Sequence, residues 1–223
     1  MLYLYHKDAG VPTLTLSGDD HRYLFKVRRH KVEDTLYLRN LRDTYIYSYE
    51  VVTIDKRSVT LSCISKEKLE INAAKKLHIG WCIIDPKNIE KIFPSLNELG
   101  VEKISFIYCQ RSQKSFKPDF KRLNKILLNS SQQSGRSSMM QLEIIETLQL
   151  FLQKYPQSYM LNFSEKSIES IKEDIETILI GCEGGFSEEE ISLFDQEKIV
   201  GFATPLVLKS ETAVCAVAAK LLI

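Results

Sequence analysis

The pattern of predicted secondary structure changes at a charged stretch, residues 66–70. Before it, short segments rich in Tyr, Val, Thr and Ile alternate with polar turns, which is typical of β-strands. The predicted strands are Leu2–Tyr5, Thr13–Leu16, Thr35–Leu38, Tyr45–Ile54 and Val59–Ser65. Short strands at this spacing predict a small barrel or rolled sheet.

After the charged stretch, apolar strands alternate with amphipathic helices. Strands are predicted at Leu77–Ile84, Ile104–Tyr108, Tyr159–Asn162, Ile178–Ile180, Ile199–Phe202 and Leu206–Leu208. Helices are predicted at Asn88–Leu99, Phe120–Gln133, Ser187–Asp195 and Glu211–Leu222. This alternation predicts an α/β domain with a largely parallel sheet. We therefore expect two domains, over residues 1–68 and 69–223.

The charges are unevenly distributed, although the net charge is only +1. Lys103–Arg136 contains eight basic residues and one acid, for a net charge of +7. Residues 165–197 contain eleven acids and two lysines, for a net charge of −9. The basic region favours a phosphate-binding surface, and a solvated helix face is the alternative.

Several classes of protein are disfavoured. The apolar runs are too short to span a bilayer, and the N-terminus lacks the features of a secretion signal, so we expect a cytoplasmic protein without membrane association. The five cysteines form no close pair, which predicts reduced and mostly buried thiols. The four histidines show no metal-ligand spacing, so we expect no metal.

The strongest local motif is the apolar strand Ile178–Ile180, followed by a glycine-rich turn and a helix. Ser187 and Glu190 predict a capping box at the helix start. Glycines at the carboxyl end of a strand let the backbone approach a ligand. Because Glu188–Glu190 would repel a phosphate, a ligand such as S-adenosylmethionine is favoured. A turn that serves only the fold is the alternative.

Two further segments have the composition of a binding site. In Pro205–Ala213 an apolar stretch passes directly into a helix, with Ser210 as the predicted N-cap. Ser131–Arg136 ends a basic helix, and Gly135 suits its C-cap. Arg136 just beyond can bind a phosphate or stabilise charge on a base, although a plain surface arginine is also consistent with the motif.

In order along the chain, these segments and two others resemble the RsmE family, bacterial enzymes that methylate N3 of a uridine in small-subunit ribosomal RNA. The resemblance covers nearly the whole chain. The matching segments are His21–Arg29, Asn97–Val101, Gln133–Arg136, Ile180–Ser187 and Leu208–Ala213.

The resemblance implies a PUA-like β-barrel over residues 1–68 and a SPOUT α/β methyltransferase domain, with a trefoil knot, over residues 69–223. It implies a homodimer that acts on ribosomal RNA, within the small subunit, and binds S-adenosylmethionine between the knot loops. The cofactor-binding residues implied are Leu161, Asn162, Ile180, Gly181, Glu183, Gly184, Gly185, Leu206, Val207, Leu208, Thr212 and Ala213.

Methylation of uridine N3 requires an unpaired base and loss of the N3 proton. Within the resemblance, we expect Arg136 to stabilise the resulting charge. We expect either Glu211 or Glu183 to accept the proton or to bind the cofactor ribose. The catalytic candidates are Arg136 and Glu211. The predicted RNA-binding cations are Arg22, Lys26, Arg28, Arg29, Arg111, Lys114 and Arg136.

The chain departs from the family pattern at five positions. Ser95 replaces a lysine, Met140 and Cys182 each replace a proline, Lys209 replaces an arginine, and Ser210 replaces a threonine. These departures leave two alternatives open: a SPOUT methyltransferase for transfer RNA or a ribose 2′-hydroxyl, and a non-catalytic RNA-binding ribosome-assembly factor. A nucleotide-dependent oxidoreductase is disfavoured because no phosphate-binding motif is present.

Overall fold

The computed structural model describes residues 2–223, which form two compact units. The first unit joins the N-terminal segment up to Asn72 with a short second stretch, Ser131–Ser138. The second unit comprises Ala73–Ser130 and Met139–Ile223. The first unit is thus built from two parts of the sequence that are far apart along the chain.

The first unit contains one five-stranded sheet, with strand order β1-β3-β4-β5-β2. Its strands are β1 (Leu4–Tyr5), β2 (Thr13–Ser17), β3 (Thr35–Arg39), β4 (Tyr45–Ile54) and β5 (Ser58–Lys68). A short helix, α1 (Gly18–His21), continues into a π-helical turn at Arg22–Val27. All five strands expected from the sequence are confirmed, with shifted ends. In β2 the alternation of buried Leu14 and Leu16 with exposed neighbours fixes which face meets the core.

The second unit contains a six-stranded parallel sheet, with strand order β11-β9-β10-β6-β7-β8. Its strands are β6 (His78–Cys82), β7 (Lys103–Ile107), β8 (Gln141–Ile145), β9 (Tyr159–Leu161), β10 (Thr177–Ile180) and β11 (Ile199–Val200). Its helices are α2 (Pro86–Leu99), α3 (Phe120–Ser134), α4 (Leu148–Lys154), α5 (Glu188–Ile191) and α6 (Ser210–Leu222). The last residues of α3 belong to the first unit. The predicted α/β fold with a parallel sheet is confirmed.

The central strands explain why this sheet forms. Strands β6 and β10 are almost entirely buried, as expected for a parallel sheet with both faces covered. Helix α2 starts after Asp85, whose carboxylate accepts from the Lys87 backbone N–H at 2.8 Å. It ends at Gly100, whose φ of 100° suits glycine. The family-like segment Asn97–Val101 is therefore a helix terminus.

Some element boundaries differ from the prediction. The helix expected over Ser187–Asp195 is only one turn, Glu188–Ile191. The strand expected at Leu206–Leu208 does not form, because the segment has no strand partner and Leu206 and Val207 are exposed. Strand β8 and helix α4 were not predicted from the sequence. Strand β8 is a half-exposed edge strand, and α4 has only seven residues, so neither has a long apolar pattern.

The expectation of reduced thiols is wrong for one pair, since Cys82 and Cys109 form a disulfide. The two cysteines lie at the ends of the neighbouring parallel strands β6 and β7, where their Cα atoms are 5.8 Å apart. A separation of 27 residues in the sequence gives no sign of this proximity. Cys63, Cys182 and Cys215 are free.

Within residues 2–223, no helix is long and apolar enough to cross a membrane. In the same range, no three histidine, cysteine, aspartate or glutamate side chains group in a way that could bind a metal ion.

A polar cluster spans β6, β7 and β8, centred on Glu143. The Ser105 hydroxyl donates to Glu143 at 2.5 Å and lies 2.6 Å from His78 Nε2. Three further side chains bind the Glu143 carboxylate: Lys103, Lys154 and Tyr155. Burial opposes ionisation of Glu143, but these hydrogen bonds outweigh it and lower its pKa to about 2. Burial and the charge of Lys103 lower the pKa of His78 to about 4.

We predict that stability falls in two steps as the pH is lowered. Between about pH 6.5 and 4 the unfolded chain takes up a proton at His78 that the folded chain does not. Between about pH 4.5 and 2 the same holds for Glu143. Urea unfolding from pH 7 to 3 should show this loss. In His78→Gln the loss between pH 6.5 and 4 should shrink, and an unchanged pH dependence would contradict the assignment.

Candidate functional site

Three loops of the second unit enclose a cavity of about 400 Å³. The first loop follows β9, the second follows β10, and the third connects β11 to α6. The cavity therefore lies at the carboxyl ends of the strands, where parallel sheets bind ligands. All the predicted cofactor-binding residues except Thr212 line it. Other lining residues, most of them on the same loops, were not predicted individually: Phe163, Ser164, Cys182, Phe186, Phe202, Thr204 and Ser210.

The glycine-rich loop after β10 forms one wall. Gly185 has a φ of 66°, a conformation that favours glycine, and its N–H donates to the Cys182 carbonyl at 2.9 Å. A Cβ on Gly181 would lie 3.2 Å from the Gly185 Cα, so the loop closes tightly on itself. The predicted capping box of Ser187 and Glu190 is confirmed. This box fixes the point where the loop enters α5.

The start of α6 is joined to the glycine-rich loop through Ser210. The Ser210 hydroxyl donates to the Gly181 carbonyl at 2.5 Å and accepts from the buried Trp81 indole N–H at 2.9 Å. Ser210 was predicted as the N-cap, but Lys209 occupies that position without a side-chain cap. The hydroxyl instead connects the start of α6 to the glycine-rich loop and to strand β6. The predicted proximity of Gly181–Gly185 and Leu206–Ala213 is confirmed.

A close contact between two chain segments supports the third wall. A Cβ on Gly201 would lie 2.6 Å from the Ser164 carbonyl oxygen and 3.0 Å from that of Asn162. Glycine is therefore required where the chain leaves β11 and passes the loop after β9. The Ser164 hydroxyl donates to the Ile199 carbonyl at 3.0 Å, and the Asn162 N–H donates to Val200 at 2.9 Å.

The electrostatic character of the cavity limits its ligand. Among the described residues, neither lysine nor arginine lines it, and Glu183 is its one charged side chain. A phosphate bound there would lack a cation and would meet Glu183 and the acidic start of α5. A ligand that carries a positive charge and no phosphate fits this arrangement. Ile180, Leu208 and Ala213 supply apolar surface for a flat ring.

A family model described as an RNA methyltransferase domain matches residues 72–222. The chain is 38% identical over 216 residues to ribosomal RNA small subunit methyltransferase E of Helicobacter pylori strain ATCC 700392 / 26695, which covers 96% of both chains. The chain belongs to the ribosomal RNA small subunit methyltransferase E family. A relative with the same name from Buchnera aphidicola is 26% identical, over 89% of this chain and 83% of its own.

Solved structures with this fold include methyltransferase E of Neisseria gonorrhoeae bound to S-adenosyl methionine. Its TM-score to this chain is 0.81 and its sequence identity is 17%. The match covers 98% of this chain and 95% of that one. A methyltransferase from Legionella pneumophila, in complex with the cofactor SAM, has a TM-score of 0.80 at 22% identity, covering 98% and 96%. At these identities the likeness shows the fold.

Two residues implied by the family pattern lie in the first turns of α6. Thr212 is exposed and does not line the cavity. Glu211 does not line it either. Its Oε2 atom is buried and, within the part of the chain that the structure describes, has no hydrogen-bond partner. A buried carboxylate oxygen is costly unless it is paired.

The predicted catalytic residue Arg136 lies in the first unit and is only 6% exposed. Its backbone carbonyl accepts from the Tyr3 hydroxyl at 2.8 Å. Burial raises the pKa of Tyr3, against the opposing charges of Arg39 and Arg136. Arg136 is therefore an interior residue of its unit, whereas the sequence suggested that it emerges from the end of a helix.

The other predicted RNA-binding cations are exposed: Arg22, Lys26, Arg28, Arg29, Arg111 and Lys114. Arg28 Nε donates to the Tyr23 hydroxyl at 3.0 Å, so a cation and an aromatic ring are paired there. In the second unit, Arg111 Nη1 donates to the Gly184 carbonyl at 2.6 Å. Arg111 thus contacts the glycine-rich loop directly.

We predict that Ser210→Ala destabilises the protein, because it leaves the Trp81 N–H buried without an acceptor. The free energy of unfolding should fall by about 1–3 kcal/mol. Ser192→Ala is the matched control, because its hydroxyl makes an exposed bond to the Glu189 carbonyl and should cost less than about 0.5 kcal/mol. If urea unfolding shows the same loss of free energy in both variants, the buried Ser210 hydrogen bonds stabilise the protein no more than the exposed one does.

Proposed function

We propose that this chain transfers a methyl group from S-adenosylmethionine to N3 of a uridine in small-subunit ribosomal RNA. One observation carries the proposal: a chain of this family has a cavity between Gly181–Gly185 and the segment leading into α6, and among the described residues neither lysine nor arginine lines it. The chemistry needs an electrophilic methyl group beside an unpaired base.

The residues present fit S-adenosylmethionine. Apolar side chains suit the adenine ring, and the backbone of the two loops offers hydrogen bonds to the ribose and the amino-acid end. The Glu183 carboxylate suits a ligand that carries a sulfonium. The cofactor supplies the methyl group, while the chain orients it and excludes water.

The catalytic roles of Arg136 and Glu211 stay predictions. Loss of the N3 proton spreads negative charge over N3, O2 and O4 of the base, which a cation or backbone N–H donors near Gly184 or Thr212 would stabilise. The sequence predicts Arg136 for this task, but its burial in the first unit lends that role no support. Proximity of the base to the methyl group supplies much of the remaining rate enhancement.

The proposal includes a PUA-like first domain over residues 1–68, a trefoil knot within residues 69–223, and a homodimer that acts in the cytoplasm. The family resemblance implies the homodimer.

We expect the purified protein, supplied with S-adenosylmethionine and small ribosomal subunits from cells that lack it, to form N3-methyluridine. Mass spectrometry of the digested nucleosides measures the product directly. Gly201→Ala should reduce product formation and cofactor affinity together, because its Cβ would meet the Ser164 backbone. Ribose-methylated nucleosides, or no methylated nucleoside at all, would contradict the proposed function.

We expect the exposed cations of the first unit to bind RNA backbone. Combining Arg22→Ala, Lys26→Ala and Arg29→Ala should weaken RNA binding and make the slope of log K against log salt shallower by about two to three. Lys68→Ala, an exposed cation on β5, should change the slope by no more than about one. If the triple variant keeps the wild-type slope of log K against log salt, residues 22–29 do not belong to the RNA-binding surface.

A further inference from the structure

A second cavity, of about 470 Å³, lies beside the first. Its walls follow three neighbouring strands: residues 83–88 follow β6, Arg111–Phe116 follow β7, and Glu183 and Gly184 follow β10. All of these residues belong to the second unit. The volume is in the range of small-ligand sites, roughly 300–1,000 Å³. Four of its lining residues belong to no site predicted from the sequence: Asp85, Asn88, Gln113 and Phe116.

The two cavities share a wall, because Glu183 and Gly184 line both. The wall is braced from the second cavity by Arg111, whose guanidinium donates to the Gly184 carbonyl at 2.6 Å. A Cβ on Gly184 would lie 3.2 Å from Arg111 Cδ, so the two loops are in close contact. A ligand in each cavity would therefore border the same two residues of one loop.

The lining of the second cavity differs from that of the first. It presents two amide side chains, Asn88 and Gln113, the Phe116 ring, the Asp85 carboxylate and the cation Arg111. The Phe116 loop is fixed, since the Tyr108 hydroxyl donates to the Phe116 carbonyl at 2.9 Å. One Asp85 oxygen is already used at the start of α2.

This set of groups complements an unpaired pyrimidine. Uracil presents two carbonyl acceptors, one N–H donor between them, and a flat face. Amide and guanidinium groups can donate to the carbonyl oxygens, and an aromatic ring can stack on the face. A carboxylate can accept from the N–H. Glu183 is exposed and lines both cavities, so its carboxylate borders both the base and the methyl donor.

We infer that the second cavity binds the target uracil and that Glu183 accepts its N3 proton. This inference rests on the proposed function. The Glu183 carboxylate takes the proton, and N3 uses the freed electron pair to bond to the methyl carbon. The methyl–sulfur bond breaks, and its electron pair stays on sulfur, which becomes neutral. The proton then passes from the exposed Glu183 to solvent.

The geometry favours Glu183 over Glu211 for this role. Glu211 lines neither cavity, and its Oε2 atom is buried. A proton acceptor must come within hydrogen-bond reach of the proton that it removes. Glu183 is the residue whose position between the cavities allows this.

The first test is Glu183→Gln, which keeps the size of the side chain and removes its ability to accept a proton. We expect single-turnover methylation at saturating S-adenosylmethionine to slow by about 100-fold or more, while the Kd for the small subunit changes less than about threefold. Glu188→Gln, on the adjacent helix and outside both cavities, is the matched control and should behave as wild type.

The second test probes the cavity without changing the proton acceptor. Asn88→Ala and Phe116→Leu should each raise the KM for the small subunit by about tenfold, with cofactor Kd unchanged. Asn124→Ala, an exposed amide on α3, is the control.

The outcomes separate the inference from the proposed function. If the wild-type protein forms no N3-methyluridine, the proposed function is wrong. If wild type is active but Glu183→Gln retains its rate, Glu183 is not the proton acceptor. If Asn88→Ala weakens the binding of S-adenosylmethionine instead of the subunit, the second cavity belongs to the cofactor, and the inference is overturned.

Discussion

One hydroxyl group links two of the three loops of the cofactor cavity to the central sheet. Ser210 accepts from Trp81 on β6 and donates to Gly181 in the loop after β10, while its own backbone begins α6. A hydroxyl can donate and accept at once, which few other small side chains can do. Because Trp81 is fully buried, its N–H needs this acceptor. The position of both loops relative to the sheet depends on this link.

The order of the parallel strands determines how the two cavities are arranged. Strand β10 lies between β9 and β6, so its glycine-rich loop has one cavity on each side. On the β9 side the lining is apolar and contains Glu183, which suits a cationic ligand without phosphate. On the β6 and β7 side it contains amides, an aromatic ring and Arg111, which suits a base. One loop can therefore contact both reactants.

Local sequence patterns predicted the parts of the site that depend on local physics. The glycine turn and the capping box at Ser187 follow from residues close together in the chain, whereas the convergence of the two loops was expected only from the family resemblance. The exposed segment Leu206–Leu208 was wrongly predicted as a strand, because an apolar run does not show whether a strand partner exists. The Cys82–Cys109 disulfide and the burial of Arg136 depend on distant parts of the chain meeting. Phe163 and Phe202 line the cavity through loop geometry that no spacing rule encodes.

The central claim is that the Gly181–Gly185 loop and the segment before α6 enclose a methyl donor without phosphate. Isothermal titration calorimetry of the purified chain with S-adenosylmethionine, S-adenosylhomocysteine and ATP tests it most directly. The claim predicts that the first two bind, one per chain, and that ATP does not. Failure to bind S-adenosylmethionine, or equal affinity for ATP, would contradict it.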